Sequence, residues 1–231
     1  LTKYGNSALL IAVKAGYLEI VKELIQANAK VNQASEYFTV LMAASKKGHL
    51  EVVKALIQAG AEVNAANEKG NTALMMASYA GYLETTRELI KAKANVNAVC
   101  HIGDTALIIA AGAGHFSIAQ VLIRANAKIN VINKHGNTAL MAAAQKGHPE
   151  IVQLLLRHQA GVDIADKDGD TALLCAALEG RTQCVQLLLE AGADPNHKNN
   201  AGQTARDLAN ELEDASTREE ILKILDGKMS R

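Results

Sequence analysis

Apolar and polar positions alternate along this chain in short blocks rather than in long amphipathic runs. Ala73 to Ala80 is one apolar block, closed by Gly81. Tyr82 to Ala92 is a second, whose apolar positions Leu83, Leu89 and Ile90 share one helical face with the small Thr86. Polar clusters separate such blocks, as in Asn67-Glu68-Lys69-Gly70-Asn71, where Gly70 stands at a turn position suited to positive φ. Thr72, directly before the first block, predicts an N-cap whose hydroxyl accepts from an amide of the following turn. Ala94-Asn95-Val96-Asn97 leads out to the next turn. Each predicted helix is too short to persist alone in water, so its stability must come from burial against neighbours.

The layout recurs at a fixed spacing. Gly70-Asn71-Thr72-Ala73-Leu74 returns every 33 residues as Gly103 to Leu107, Gly136 to Leu140 and Gly169 to Leu173, and closes with Gly202-Gln203-Thr204-Ala205. Thr39 and Ser7 extend the threonine register backwards, the last step being 32 residues. A period of this size predicts a stack of small supersecondary units rather than one closed globule. The units fall near 2–33, 34–66, 67–99, 100–132, 133–165 and 166–198, with a divergent capping unit at 199–231, all in a single domain 1–231. A glycine follows the first helix at Gly16, Gly48, Gly81, Gly114, Gly147 and Gly180, and Tyr17, His49, Tyr82, His115 or His148 follows it in the first five. The second helix leads to Val31-Asn32, Val63-Asn64, Val96-Asn97, Ile129-Asn130 or Val162-Asp163.

This pattern resembles the ankyrin repeat over nearly the whole chain. The resemblance implies an all-α solenoid of stacked helix-turn-helix units with β-turn fingers. One departure concerns the family phrase T-P-L-H, which here reads T-A-L followed by a large apolar residue in most units. Met42, Met75, Ile108, Met141 and Leu174 take the histidine position, so the hydrogen bonding supplied there is expected to be absent or replaced by apolar packing. After the second helix, Gly60, Gly192, Asn28 and Asn126 suit a left-handed cap, whereas Lys93 and Gln159 do not. Ser216 and Thr217, three residues before Glu219 and Glu220, predict a capping box for a final helix carrying Ile221, Leu222, Ile224 and Leu225. No matching polar cap precedes Leu1, which leads us to expect further sequence upstream.

Composition narrows the chemistry. Hydrophobic residues make up 49% of the chain, but aromatics only 3%, so Ala, Leu, Ile and Val must build the core. The 24 basic and 24 acidic residues cancel, which argues against a nucleic-acid partner. No apolar run approaches the ~20 residues needed for direct membrane insertion. Cys100, Cys175 and Cys184 lack CxxC spacing and fit a cytoplasmic or nuclear setting, with a secreted effector left open. His49, His115 and His148 are one repeat apart, too far to share a metal ion, and are expected to bond a neighbouring repeat. Gly112-Ala113-Gly114 follows no strand and precedes no GK[ST], so it is not a phosphate loop. Asp163, Asp166, Asp168 and Asp170 only partly mimic a calcium loop and are expected to be turn carboxylates. Cys175 and Cys184 are expected to be packed, unreactive residues. We therefore expect no catalytic residue, no cofactor and no metal, and a chain that is not an enzyme.

The resemblance places partner contacts on the finger tips and the exposed end of the first helix. Carried over position by position, it nominates Tyr4, Tyr37, Phe38, His101, Ile102 and Asp104 on the fingers. On the first helices it nominates Lys46, Lys47, Tyr79, Gln145, Lys146, Leu178 and Glu179. Tyr37 and Phe38 either anchor a partner, as aromatic hot spots do, or pack on adjacent fingers. The leading expectation is a monomeric, non-catalytic scaffold or adaptor that binds a protein or peptide on the concave surface. The alternative is a regulatory or targeting segment of a larger multidomain enzyme or channel. Asn64 also stands in a context similar to sites of asparaginyl hydroxylation in the family.

Overall fold

A computed structural model of the chain describes residues 8–33 and 38–229, except the side chains of Lys228 and Met229. Among these residues the elements are helices, α1 to α14, with no β-strand. Two isolated antiparallel bridges, Ala66 to Thr72 and Ala165 to Thr171, close turns. The odd-numbered helices form an inner layer, each packed on the next. They are α1 (Ala8–Ala15), α3 (Val40–Lys47), α5 (Ala73–Ala80), α7 (Ala106–Gly112), α9 (Ala139–Lys146), α11 (Ala172–Leu178) and α13 (Ala205–Asn210). The even-numbered helices form an outer layer and also pack on their own inner partners. They are α2 (Leu18–Gln26), α4 (Leu50–Gln58), α6 (Leu83–Lys91), α8 (Phe116–Arg124), α10 (Pro149–Arg157), α12 (Thr182–Glu190) and α14 (Ala215–Met229). The architecture is the expected all-α solenoid, in which helix pairs meet mainly their nearest neighbours.

The core repeats with the sequence. Leu41, Leu74, Leu107, Leu140 and Leu173 are buried in the inner layer, and Leu56, Leu89, Leu122, Leu155 and Leu188 in the outer one. Each such side chain contributes about 1.5–3 kcal/mol of transfer free energy. The pair α1–α2 has a packed neighbour on one side only among the described residues, and there Ile20 is 47% exposed. Its counterparts Val52, Ile118 and Ile151 are buried to 2% exposure or less.

Local chemistry fixes each start. The hydroxyls of Thr39, Thr72, Thr105 and Thr138 accept from the amide three residues on at 3.2–3.3 Å, and that of Thr171 does so at 3.5 Å. The methionines in the histidine position do more than pack. The sulfurs of Met42 and Met141 accept from the Thr39 and Thr138 amides at 3.5 and 3.4 Å, long bonds to a weak acceptor. The last helix begins differently from expectation. Its cap is Asp214, which accepts from the Ser216 and Thr217 amides, so those two residues lie inside α14 and form no capping box.

Stacking is directed by a wedge. Gly48 ends α3 with φ +70° and Gly81 ends α5 with φ +82°, and the rings of Tyr82 and His115 lie where Cβ atoms would otherwise be. The His49, His115 and His148 rings donate from Nε2 to the carbonyls of Lys14, Tyr79 and Gly112 at 3.4, 3.0 and 3.3 Å. The histidines thus bond the preceding repeat, at the end of its inner helix. Arg181 takes the same position and donates to the Gln145 carbonyl at 3.2 Å. Behind the helices, asparagines clasp successive repeats: Asn64 donates to the Lys93 carbonyl at 3.2 Å and accepts from the Asn95 amide at 2.7 Å. Asn32, Asn97 and Asn130 do the same in their repeats.

Lys93 and Gln159, judged unsuited to a left-handed cap, adopt one nevertheless, with φ of 67° and 61°. The neighbouring helices dictate this backbone, and the side chain accepts the strain. Gln159→Gly should therefore leave the melting temperature unchanged or raise it, by at most about 1 kcal/mol of stability. Gly48→Ala, which adds a Cβ against the Tyr82 ring at positive φ, should lose about 2 kcal/mol or more. Thermal and urea denaturation of both variants checks the pair.

Candidate functional site

The fingers are built from one turn used repeatedly. In each, the residue three before the glycine accepts that glycine's amide: Gly70 to Asn67, Gly103 to Cys100, Gly136 to Asn133 and Gly169 to Asp166, at 2.8–3.1 Å. At Asn67, Asn133 and Asp166 the side-chain oxygen also accepts two further amides of the same turn. Asp166 is therefore a structural turn carboxylate. Backbone bonds then join tip to tip: His101 donates to Lys69, Lys134 to Ile102, Lys167 to His135 and Asn200 to Asp168, at 2.8–3.0 Å. Side chains add to the ladder, with Asn133 donating to Asp104 and Asn199 to Asp170 at 2.8 and 2.9 Å. A row of turns tied in this way forms a stiff wall beside the inner helices.

Between that wall and the inner layer runs an open groove of 760 Å³, from Tyr79 on α5 to Leu178 on α11. Its floor includes Ile109, Ala142 and Cys175, one residue from each successive inner helix at the same repeat position. All three are half-buried, packed against the core on one side and lining the groove on the other. His135, Asn137, Lys167, Asp168 and Asp170 line the finger side.

The residues nominated from sequence divide into groups. Tyr79, Asp104, Gln145, Lys146 and Leu178 line this groove, with Tyr79 65% and Leu178 43% exposed. Phe38, Lys46 and Lys47 line a separate pocket of 140 Å³ at the other end of the inner layer. Phe38 is half-buried against the core and carries the Lys46 ammonium 5.1 Å from its ring centroid. His101 and Ile102 are exposed on their finger outside the groove, and Glu179 pairs with Arg181 at 3.8 Å. Tyr4 and Tyr37 lie outside the described residues. The floor residues were missed by sequence reading. The signal was present as the fourth residue after each threonine, where Met76, Ile109, Ala142 and Cys175 recur.

The family model for ankyrin repeats, written for three copies, matches residues 1–67, 41–133 and 125–199. The chain belongs to the ankyrin repeat family. Among solved structures it is similar to the human ASB11 ankyrin repeat domain, at 27% identity and a TM-score of 0.86, covering 95% of this chain and 98% of that one. It is also similar to the ankyrin repeat domain of Bcl-3, described as a unique member of the IkappaB protein family. That match has 27% identity and a TM-score of 0.78 over 96% of this chain and 100% of the other. No curated protein matches the chain. The ankyrin repeat domain is a general protein–protein interaction fold.

Titration chemistry in this ankyrin domain is structural in character. Burial raises the Cys175 thiol to about 12 and the Cys184 thiol to about 11, so both stay protonated at neutral pH. Among the described residues no group of three or more His, Cys, Asp or Glu is placed to hold a metal ion, and no helix is long and apolar enough to cross a membrane. Burial also raises the Asp170 carboxyl above its ordinary 3.8; Asp166 and Asp168 add to the rise, and the Asn199 hydrogen bond opposes it. Asp207 and Asp214 are lowered, first by the hydroxyls of Thr204 and Thr217.

These shifts have opposite signs in stability. A raised carboxyl stabilises the fold below its unfolded pKa, and that contribution is lost as pH rises through the folded value. Asp170→Asn should therefore melt higher than the native chain near neutral pH, with the gap closing below about pH 4. Asp207 and Asp214 stabilise at neutral pH and lose that contribution as pH falls through their lowered values. Melting curves of the native and Asp170→Asn chains across this range check the first sign.

Proposed function

We propose that this ankyrin domain is a non-catalytic interaction module that seats an extended segment of a protein or peptide in the groove from α5 to α11. The observation that carries the reading is the floor. Ile109, Ala142 and Cys175 pack against the core on one side and leave the rest of their apolar surface open to the groove in a line. Stiff fingers tied by backbone bonds support the same reading, because a wall ordered before binding loses little conformational entropy on binding. Exposed Tyr79 at one end and Leu178 at the other offer the larger apolar contacts that anchor a ligand.

The test blocks the floor without disturbing the core. Peptides selected from a random library on the intact chain should bind Ala142→Arg about tenfold more weakly or worse, since the arginine fills and charges the middle of the groove. Gln153→Arg, on the exposed face of α10, should bind them as the native chain does. Equal loss in both variants, or none in Ala142→Arg while its melting curve stays native, would place recognition elsewhere.

A further inference from the structure

Among the described residues, basic side chains predominate at one end of the concave face and acidic ones at the other. At the α1–α3 end, Lys14, Lys46 and Lys47 are exposed around Phe38 and Ala43. At the α11 end, Asp166, Asp168 and Asp170 line the groove wall, and with Asp104 they outnumber the Lys146 and Lys167 that line the same groove. The ion pairs among the described residues lie elsewhere: Lys22–Glu19, Lys54–Glu51, Arg87–Glu84, Arg181–Glu179 and Arg206–Asp226. None of the three lysines or three aspartates takes part in one. The hydrogen bonds that Asp166 and Asp170 accept come from neutral amides, and the Asp168 carboxylate accepts none. Between the two ends the groove floor is apolar, running through Ile109 and Ala142.

We propose that the segment seated on this face has segregated charge. Its acidic side chains lie over Lys14, Lys46 and Lys47, a short apolar stretch follows the floor, and its basic side chains face Asp166, Asp168 and Asp170. This deepens the groove reading above and rests on it. A segment of one sign would meet like charge at one end, an arrangement that costs affinity and rejects wrong partners. From α3 to α11 there are four inner-helix steps of about 8–10 Å, so the segment spans roughly 32–40 Å. At about 3.3 Å per extended residue that is roughly ten to twelve residues. The three lysines and Asp168 are exposed and Asp166 and Asp170 only half-buried, so these charges fix the direction of the segment and speed its encounter more than they tighten its binding.

The experiment displays random peptides of about twelve residues, matching that span, on phage. They are selected on the intact chain at about 50 mM salt, where exposed charges are weakly screened. The Ala142→Arg chain serves as counter-selection. Peptides removed by the counter-selection are expected to carry acidic residues in one half and basic residues in the other. A synthetic copy should lose about fivefold or more in affinity for the chain carrying Asp166→Asn, Asp168→Asn and Asp170→Asn. That loss should vanish when the peptide's basic residues become Gln and persist when its acidic residues do. The chain carrying Lys14→Gln, Lys46→Gln and Lys47→Gln should show the reverse. Asparagine already occupies the Asp166 position at Asn67 and Asn133 and the Asp170 position at Asn71 and Asn137, so the neutralised turn keeps its bonds. Counter-selected peptides that are uncharged or of one sign, or affinities indifferent to both neutralisations, overturn the proposal. A counter-selection that removes no peptide refutes the groove reading as well, and so separates the two failures.

Discussion

No helix pair in this protein can stand alone, and the structure depends on how each one borrows from the next. Among the described residues, thirteen of the fourteen helices are between six and nine residues long, below the length at which an isolated helix persists in water. Burial of one leucine ladder in each layer supplies the free energy. The wedge of Tyr82 or His115 against a left-handed glycine sets the distance at which that burial occurs. The ring must lie where a Cβ would be, and its Nε2, where it is histidine, satisfies a carbonyl at the end of the preceding inner helix. The exposure of Ile20, beside its buried counterparts, shows what the same position looks like with a neighbour on one side only.

A stack held together in this way yields a repeated surface. The inner helices α7, α9 and α11 present their fourth post-threonine residue to the groove, and from Lys69 to Asn200 each described finger tip is bonded to the next. The groove is thus a product of the period rather than of any one residue. At those recurring positions the side chains are isoleucine, alanine and cysteine on the floor, aspartates on one stretch of wall and lysines at the far end, distinct from the buried leucines that hold the stack.

Much of the fold was legible because its determinants are local. Thr72 caps the helix that begins at the next residue, and Gly81 ends that helix, so both can be read within ten residues of sequence. The fingers were legible for the same reason. The clasps were not, since Asn64 bonds Lys93 and Asn95, about thirty residues away, and nothing beside Asn64 announces it. The sulfur bonds of Met42 and Met141 escaped because methionine is ordinarily read as filling space. Lys93 and Gln159 show tertiary packing overriding local preference. On the concave face, Tyr79, Lys146 and Leu178 line the groove, and Phe38 is half-buried against the core. Half-buried floor residues such as Ala142 carry no polar or aromatic flag that would single them out.

The central claim is that recognition uses the inner face of the stack and leaves the outer helices free. Amide hydrogen exchange, compared for the chain alone and with a bound selected peptide, tests it most directly. The account predicts slower exchange in the fingers around Asn133 to Asn137 and Asp166 to Asp170 and at the ends of α9 and α11, with α8 and α10 unchanged. Protection concentrated on α8 and α10, with the fingers exchanging as before, would contradict it.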